Sequence, residues 1–450
     1  MPGYALQRMK TLLMTSLAIA MALASTATLQ AAQETFVRSE TVDPIRNVTF
    51  NKEGEAKERK QGGNPRQVEG FLAFDGSMDG NRQVDPQIAV GGGYVLHGSN
   101  SGLIIYDKKG EFVQGVRQSS FNGGIDPKLF FDPQRMVFGF DLWNPWDDAK
   151  LKPVNISVSE TSDPIGAWNT YPVPAPNGVD GGGIGHSQKW IGYSFPGGKE
   201  RTFVLRMEEV ISGKPATAYH FAGSLGHPVH TLDDSEDLHF FALSKTHFTV
   251  RKITEDEEGN PQAVLVGSTE HGLKNVGWPP QSPQKGTEQK TSSGDRNPKV
   301  LYLQGGFLWF SQTVNVDGRA AVQWHQVRLD GSIVQTGLIS HPENSYIQTT
   351  LAVNKNLDVL VGFQETGSNM YISPRMAFRN ASDPQGQVGA IVKLGEGLGF
   401  TNGTSWGDYS GSVCDGDNGL DLWTIQSITD EGGKGDTIIV RVPFEAASDE

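Results

Sequence analysis

Two acidic, glycine-rich segments carry the residue types and spacing of a cation site. In Asp415-Gly416-Asp417-Asn418-Gly419-Leu420-Asp421, three carboxylates and an amide crowd into one tight turn. Ca²⁺ takes six to eight oxygens, and such a turn supplies several from one place. Asp75-Gly76-Ser77-Met78-Asp79-Gly80-Asn81 repeats the grammar, with Asp75 and Asp79 as ligands and Asp85 within reach. A plain acidic surface turn is the alternative for both. In Trp406-Gly407-Asp408-Tyr409-Ser410, Trp406 and Tyr409 offer flat faces to a sugar ring, while Asp408 could orient a hydroxyl or assist a cation. The same residues could instead lock the end of the fold onto its beginning.

Other candidates are more scattered. His97 and His186 lie in glycine-containing stretches where an imidazole could act as a general base, alongside Asp408 and Tyr409 as catalytic candidates. Arg296 and Arg319 are candidates for an anionic ligand. His220, His227, His230 and His239 are numerous but fit no zinc spacing. Asp-Pro recurs at Asp85-Pro86, Asp126-Pro127, Asp132-Pro133, Asp163-Pro164 and Asp383-Pro384, chiefly as a turn device between strands. His-Glu-x-x-His, phosphate-loop and dinucleotide fingerprints are missing, so no nucleotide or organic cofactor is expected.

The elements that must position these residues read as strands. Short aromatic or aliphatic runs recur behind Gly- or Asp-rich turns: Tyr94-Val95-Leu96, Met136-Val137-Phe138, Lys189-Trp190-Ile191, His239-Phe240-Phe241, Phe307-Leu308-Trp309, Asp358-Val359-Leu360 and Leu422-Trp423-Thr424. They start 42 to 68 residues apart, the period of a four-stranded propeller blade plus insertions. A single β-propeller of seven blades, with one run per sheet, is the expected fold.

In chain order, Asp85-Pro86-Gln87-Ile88-Ala89-Val90-Gly91, Asp126-Pro127-Lys128, Ser159 through Trp168 and Tyr171, Gly294-Asp295-Arg296, Gly318 through Trp324, Leu351-Ala352-Val353-Asn354 and Trp406-Gly407-Asp408-Tyr409-Ser410 resemble a known group. It is the group of secreted bacterial sialidase-like β-propeller proteins, most of them without an assigned activity. The resemblance spans roughly residues 80 to 430 and is most specific at Trp406–Ser410. It implies a propeller fold with possible glycosidase or polysaccharide lyase chemistry. The chain departs from the group at Ser405 and at Val179-Asp180-Gly181-Gly182-Gly183, and its one near match to a sialidase Asp-box has the glycine displaced to Gly166. Sialidase activity itself does not follow.

Residues 1–32 have the order of a secretory signal peptide: Arg8 and Lys10, the apolar run Leu12 to Ala24, then small residues to Ala31-Ala32. Residues 33–70 read as a flexible polar leader, 71–444 as the propeller and 445–450 as an acidic tail. Formal charge is −13 with a pI near 5.3, which argues against nucleic acid. Cys414 is the only cysteine, so no intrachain disulfide forms. No membrane span is expected: the apolar run Leu12 to Ala24 is short for one, and no later stretch approaches 18 apolar residues. The sequence thus points to an exported monomer, periplasmic or extracellular, that acts on or recognises extracellular carbohydrate. The alternative is a non-catalytic glycan- or protein-binding scaffold. Ca²⁺ is the one cofactor suggested.

Overall fold

Short segments rich in Val, Ile and Phe, separated by turns that need positive φ, make the chain all-β. The computed structural model describes residues 33–47, 62–76, 85–143, 152–175, 181–195, 200–274, 277–402 and 406–446. The expected signal peptide, Asp79 and Ser405 lie outside the described residues. Helix among them is limited to Met207–Ile211 and a 3₁₀ turn at Gln118–Phe121.

The strands follow one another as antiparallel meanders. The first consists of Gln87–Gly91, Tyr94–Ser99, Gly102–Asp107 and Phe112–Arg117. The second is Ile125–Asp132, Val137–Trp143, Lys152–Ser159 and Trp168–Ala175. The third is Gly183–His186, Trp190–Ser194, Thr202–Arg206 and Ala216–Phe221. The fourth is His227–Pro228, Leu238–Leu243, His247–Glu255 and Pro261–Glu270. The fifth is Tyr302–Gln304, Phe307–Val316, Arg319–Arg328 and Ile333–Ile339. The sixth is Ser345–Val353, Val359–Gly367, Met370–Arg379 and Val392–Lys393. The last takes Gly411–Cys414, Leu422–Thr429 and Gly435–Val442 from the end of the chain and Phe71–Gly76 from near its beginning.

First strands lie against one another. Gln87–Gly91 touches both Ile125–Asp132 and Gly411–Cys414, and Gly411–Cys414 touches Ser345–Val353. The bridging segment His230–Thr231 pairs in parallel with Gly183–His186 on one side and Tyr302–Gln304 on the other. Apolar side chains fill the spaces between neighbouring meanders: Phe74, Tyr106, Trp423 and Ile439 pack between the first and the last, and Phe241, Phe248 and Phe310 between the fourth and fifth.

Each expected apolar run opens or fills the second strand of a different meander. Not every run has a sheet to itself, however. The third, fourth and fifth meanders form one continuous hydrogen-bonded sheet, because Gln33–Val42 pairs with both Ala216–Phe221 and Pro261–Glu270 and His230–Thr231 joins the inner strands. Residues expected to form a flexible leader therefore include an ordered strand, and Gly63–Val68 adds another beside Phe71–Gly76. The strand at Gln33–Val42 lacks an apolar alternation in sequence because its inward positions include charges. Arg38 pairs with Glu40 and Glu200 at 2.9 Å each, Glu40 bonds the buried His220 at 2.7 Å, and only Phe36 and Val42 mark the apolar side.

Hairpin tips are tied to the preceding meander in a repeated way. Gly92 and Gly93 donate N–H bonds of 2.6 and 3.0 Å to Asp417. Gly305 and Gly306 do the same to Asp233, at 2.6 and 2.8 Å. All four glycines have positive φ, the geometry of a tight hairpin whose amides point outward together. Burial opposes ionisation of Asp417, but the Lys108 ammonium and the Gly93 and Gly92 amides outweigh it and hold its carboxyl below the usual range. Asp417→Ala and Asp233→Ala should each lower unfolding free energy by about 1–2 kcal/mol. The Asp417 contribution is present above the unfolded carboxyl pKa and vanishes as pH falls through the lower folded value. Urea denaturation of wild type and variants at pH 7 and pH 3 checks both.

Candidate functional site

Asp85 and Asp126 stand in equivalent places, each just before a proline at or near the start of a first strand. Both have positive φ, +36° and +58°, uncommon for a residue other than glycine and frequent at functional positions. Asn100, in the turn between two strands of the first meander, joins them. Its amide donates to Asp85 Oδ2 at 3.1 Å, and its Oδ1 accepts the Asp126 N–H at 2.8 Å. The other Asp85 oxygen accepts the Asp408 N–H at 2.5 Å. Asp126 Oδ2 accepts the indole N–H of Trp143 at 2.9 Å.

Lys128 occupies the middle of this cluster. Its Nζ lies 3.5 Å from the centroid of the Tyr409 ring and donates to the Asp126 carbonyl at 3.2 Å. The Lys128 N–H donates to Asp141 Oδ1 at 3.0 Å; Asp141 Oδ2 has no hydrogen-bond partner among the described residues. Tyr409 donates its hydroxyl to the Pro127 carbonyl at 3.3 Å. Asp85, Lys128, Asp141 and Tyr409 are buried, while Asp126 and Asp408 are half-buried.

Burial sets the charge states. It pushes Asp85 up to about 7, helped by the neighbouring Asp126 and Asp408 and opposed by the Asp408 amide and Lys128. Burial likewise raises Asp141 to about 7 against the pull of Lys128. The Lys128 ammonium is lowered by burial, with Asp126 and Asp141 opposing. Near neutrality the cluster therefore holds carboxyl groups poised to give or take a proton beside an amine whose solvation has been replaced by an aromatic face and a carbonyl. Tyr409 is raised well above its ordinary value, so it stays a neutral donor.

The expected site residues separate in the structure. Asp408 and Tyr409 join the cluster. Trp406 does not offer a face to a ligand: it is fully enclosed beside Ala320, Ile347 and Ile372, and its indole donates to Gln364 Oε1 at 3.2 Å. His97 is a core residue driven to about 3 by burial, its ring nitrogens unpartnered among the described residues. His186 faces the inner strands instead, stacked 4.2 Å from Phe130 and 3.0 Å from His230 Nδ1, and burial lowers it to about 3. Arg319 begins a strand of the fifth meander, in an element that contributes nothing to the cluster. Arg296 lies near it, over the exposed ring of Trp278 at 5.3 Å.

The acidic turns expected to hold Ca²⁺ have other partners. Asp415 binds Lys108 at 2.6 Å and the Trp423 indole at 3.2 Å, Asp417 binds Lys108 and the two glycine amides, and Asp421 binds Arg441. Asp75 pairs with Arg66 at 2.7 Å. Among the described residues no three His, Cys, Asp or Glu side chains form a group that could hold a metal ion. Arg66 and Arg441 from nearby strands, and Lys108 from 307 residues away, supply countercharge to these carboxylates.

Asn100, Asp126, Lys128 and Asp141 were not singled out from sequence as catalytic or binding residues, and Asp85 stood there only within reach of the Asp75–Asn81 turn. The available signal was the recurrence of Asp-Pro, which reads equally well as turn punctuation. No known family matches the chain, and no curated protein matches it. Among solved structures, it is similar to Kuenenia stuttgartiensis hydrazine synthase, at 9% identity over 81% of this chain and 97% of that one, with a TM-score of 0.41. A hypothetical selenium-binding protein from Sulfolobus tokodaii gives 9% identity, 81% and 92% coverage and a TM-score of 0.42. An α-L-arabinanase from Penicillium chrysogenum, complexed with arabinobiose, gives 7%, 90% and 98%, and 0.34. Likenesses this remote assign neither activity nor ligand.

Lys128 neutralises the cluster, so removing it strands buried carboxylates. Lys128→Met should cost about 3–5 kcal/mol at pH 8, where Asp85 and Asp141 would be charged. Near pH 5 both carboxyls carry protons and the loss should be markedly smaller. Denaturation of wild type and variant at the two pH values checks the difference.

Proposed function

We propose that this chain is an exported seven-bladed β-propeller that acts on extracellular carbohydrate, with Asp85 and Asp126 as the acid–base pair. The blade reading is supported by the order of the meanders, by the contacts between their first strands, and by Phe71–Gly76 completing the sheet of the chain's end. Export is supported by the order of charges and apolar residues before Ala32.

The observation that carries the chemistry is the Asn100 bridge. It fixes two aspartates together, and burial keeps one of them, Asp85, able to hold a proton near neutrality. Glycoside hydrolysis needs such a division: one carboxyl protonates the leaving oxygen while a second carboxylate serves as base or nucleophile. Lys128 and Asp408 would steady the charge that moves between them. A non-catalytic glycan- or protein-binding role is favoured by a different fact: Asp85 and Lys128 are almost completely enclosed.

Incubation of the purified protein with a panel of plant and microbial polysaccharides, read by release of reducing ends or unsaturated products, tests the proposal. Turnover should fall as pH rises past about 7, because Asp85 then loses its proton. Asp85→Asn and Asp126→Asn should each lower kcat by about 10²–10⁴-fold with little change in fold. Binding without any product, or product formation that survives both substitutions, would sink the assignment.

A further inference from the structure

We infer that a cavity beside the carboxylate cluster binds a sugar residue carrying a carboxylate, a hexuronate unit of an acidic polysaccharide. This rests on the carbohydrate reading above and narrows it to a substrate class. The cavity has a volume of about 230 Å³ and is lined by residues that include Phe195, Ser224, His227, Leu243, Arg296 and Asn297. That is below the roughly 300 Å³ at which sites for drug-sized ligands begin, so it suits one ring rather than a length of chain.

Its lining is positive in an acidic molecule. In a chain of net charge −13, the described residues lining the cavity include Arg296 and no Asp or Glu. The guanidinium is planar and presents paired N–H donors that match both oxygens of a carboxylate. Close by stands Trp278, 60% exposed, with Arg296 over its ring. An exposed indole with a cation on it is a surface on which the apolar face of a pyranose can rest while its acid group reaches the guanidinium. His227 reports the same field. Burial lowers it to about 4, the nearby Lys299 and Lys128 add to the lowering, and Asp295 only partly offsets them. Its imidazole is therefore neutral and can hydrogen-bond a sugar hydroxyl without repelling Arg296.

The cavity is joined to the cluster by one segment. Gly294 packs against the Asp408 carbonyl and Gln348, and Lys299 pairs with Asp295 at 3.3 Å. Gly183 then lies between Lys128 and the Lys299 carbonyl, where an added Cβ would be 3.6 and 4.0 Å away. A uronate held by Arg296 would thus lie on the same segment that packs against Asp408 and approaches Lys128.

Isothermal titration of the purified protein with oligogalacturonates, oligoglucuronates and neutral galacto-oligosaccharides of equal length tests this. At least one uronate series should bind with saturation, about tenfold or more tighter than its neutral counterpart. Arg296→Gln should abolish that preference, and Arg296→Lys, which keeps the charge and loses the fork, should restore only part of it. Trp278→Ala should weaken both series while leaving the melting temperature near wild type, since the ring is exposed. Equal affinity for neutral sugars, unchanged preference in Arg296→Gln, or binding of sialylated or sulfated glycans in place of uronates would overturn the inference and leave the carbohydrate reading standing. Failure of every acidic and neutral glycan to bind would overturn both.

Discussion

Pairing between Phe71–Gly76 and Gly435–Val442 is the constraint on which the rest of the arrangement depends. It brings together segments from near the two ends of the described chain, so every meander between them is held to a fixed span. Loop-closure entropy grows slowly with length, about 0.6 kcal/mol per doubling, so even this long closure is offset by one well-packed sheet. The fit is tight: an added Cβ at Gly76 would fall 1.9 Å from Thr437 Oγ1. Phe74 and Ile439 from the joined strands then pack with Tyr106 of the first meander and Trp423 of the last.

The polar cluster lies where segments from near the two ends of the described chain also meet. Asp85 and Asp408 are 323 residues apart, yet their contact at 2.5 Å spans the junction between the first meander and the last. Strand starts from neighbouring meanders converge here, and each brings backbone groups that must be satisfied away from water. Asn100, Gln87 and Gln348 meet part of that demand, with Gln87 donating to the Ser410 carbonyl at 3.0 Å and Gln348 to the Gly407 carbonyl at 2.5 Å. Asp85 and Asp141 are enclosed in the same place, and Lys128 serves as the internal cation that makes their enclosure tolerable.

Charge is distributed with a similar logic across the molecule. The acidic turn at Asp415–Asp421 lies at the far end of the Gly411–Cys414 strand from Asp408, and its carboxylates tie neighbouring elements together through Lys108, Arg441 and hairpin amides. Burial instead raises Asp85 and Asp141 to about 7. One group of aspartates is spent on cohesion; the other retains a proton that could be moved.

The all-β class and the second strand of every meander could be read from the sequence, because runs such as Phe307-Leu308-Trp309 and the glycines before them act locally. A buried strand and a tight turn are decided by neighbours within a few residues. The strand at Gln33–Val42 was not legible, since its inward Arg38 and Glu40 are settled by each other and by Glu200 and His220, far along the chain. Asp408 and Tyr409, candidates from the sequence, do meet the polar cluster, but the sequence could not tell that Trp406 is sealed in the core while Trp278 is open, because an aromatic residue satisfies either environment. Nor could it show that Lys108, 307 residues from Asp415, pairs with carboxylates of that acidic turn. Those outcomes belong to tertiary structure, where the decisive partner of each side chain is distant in the chain and close in space.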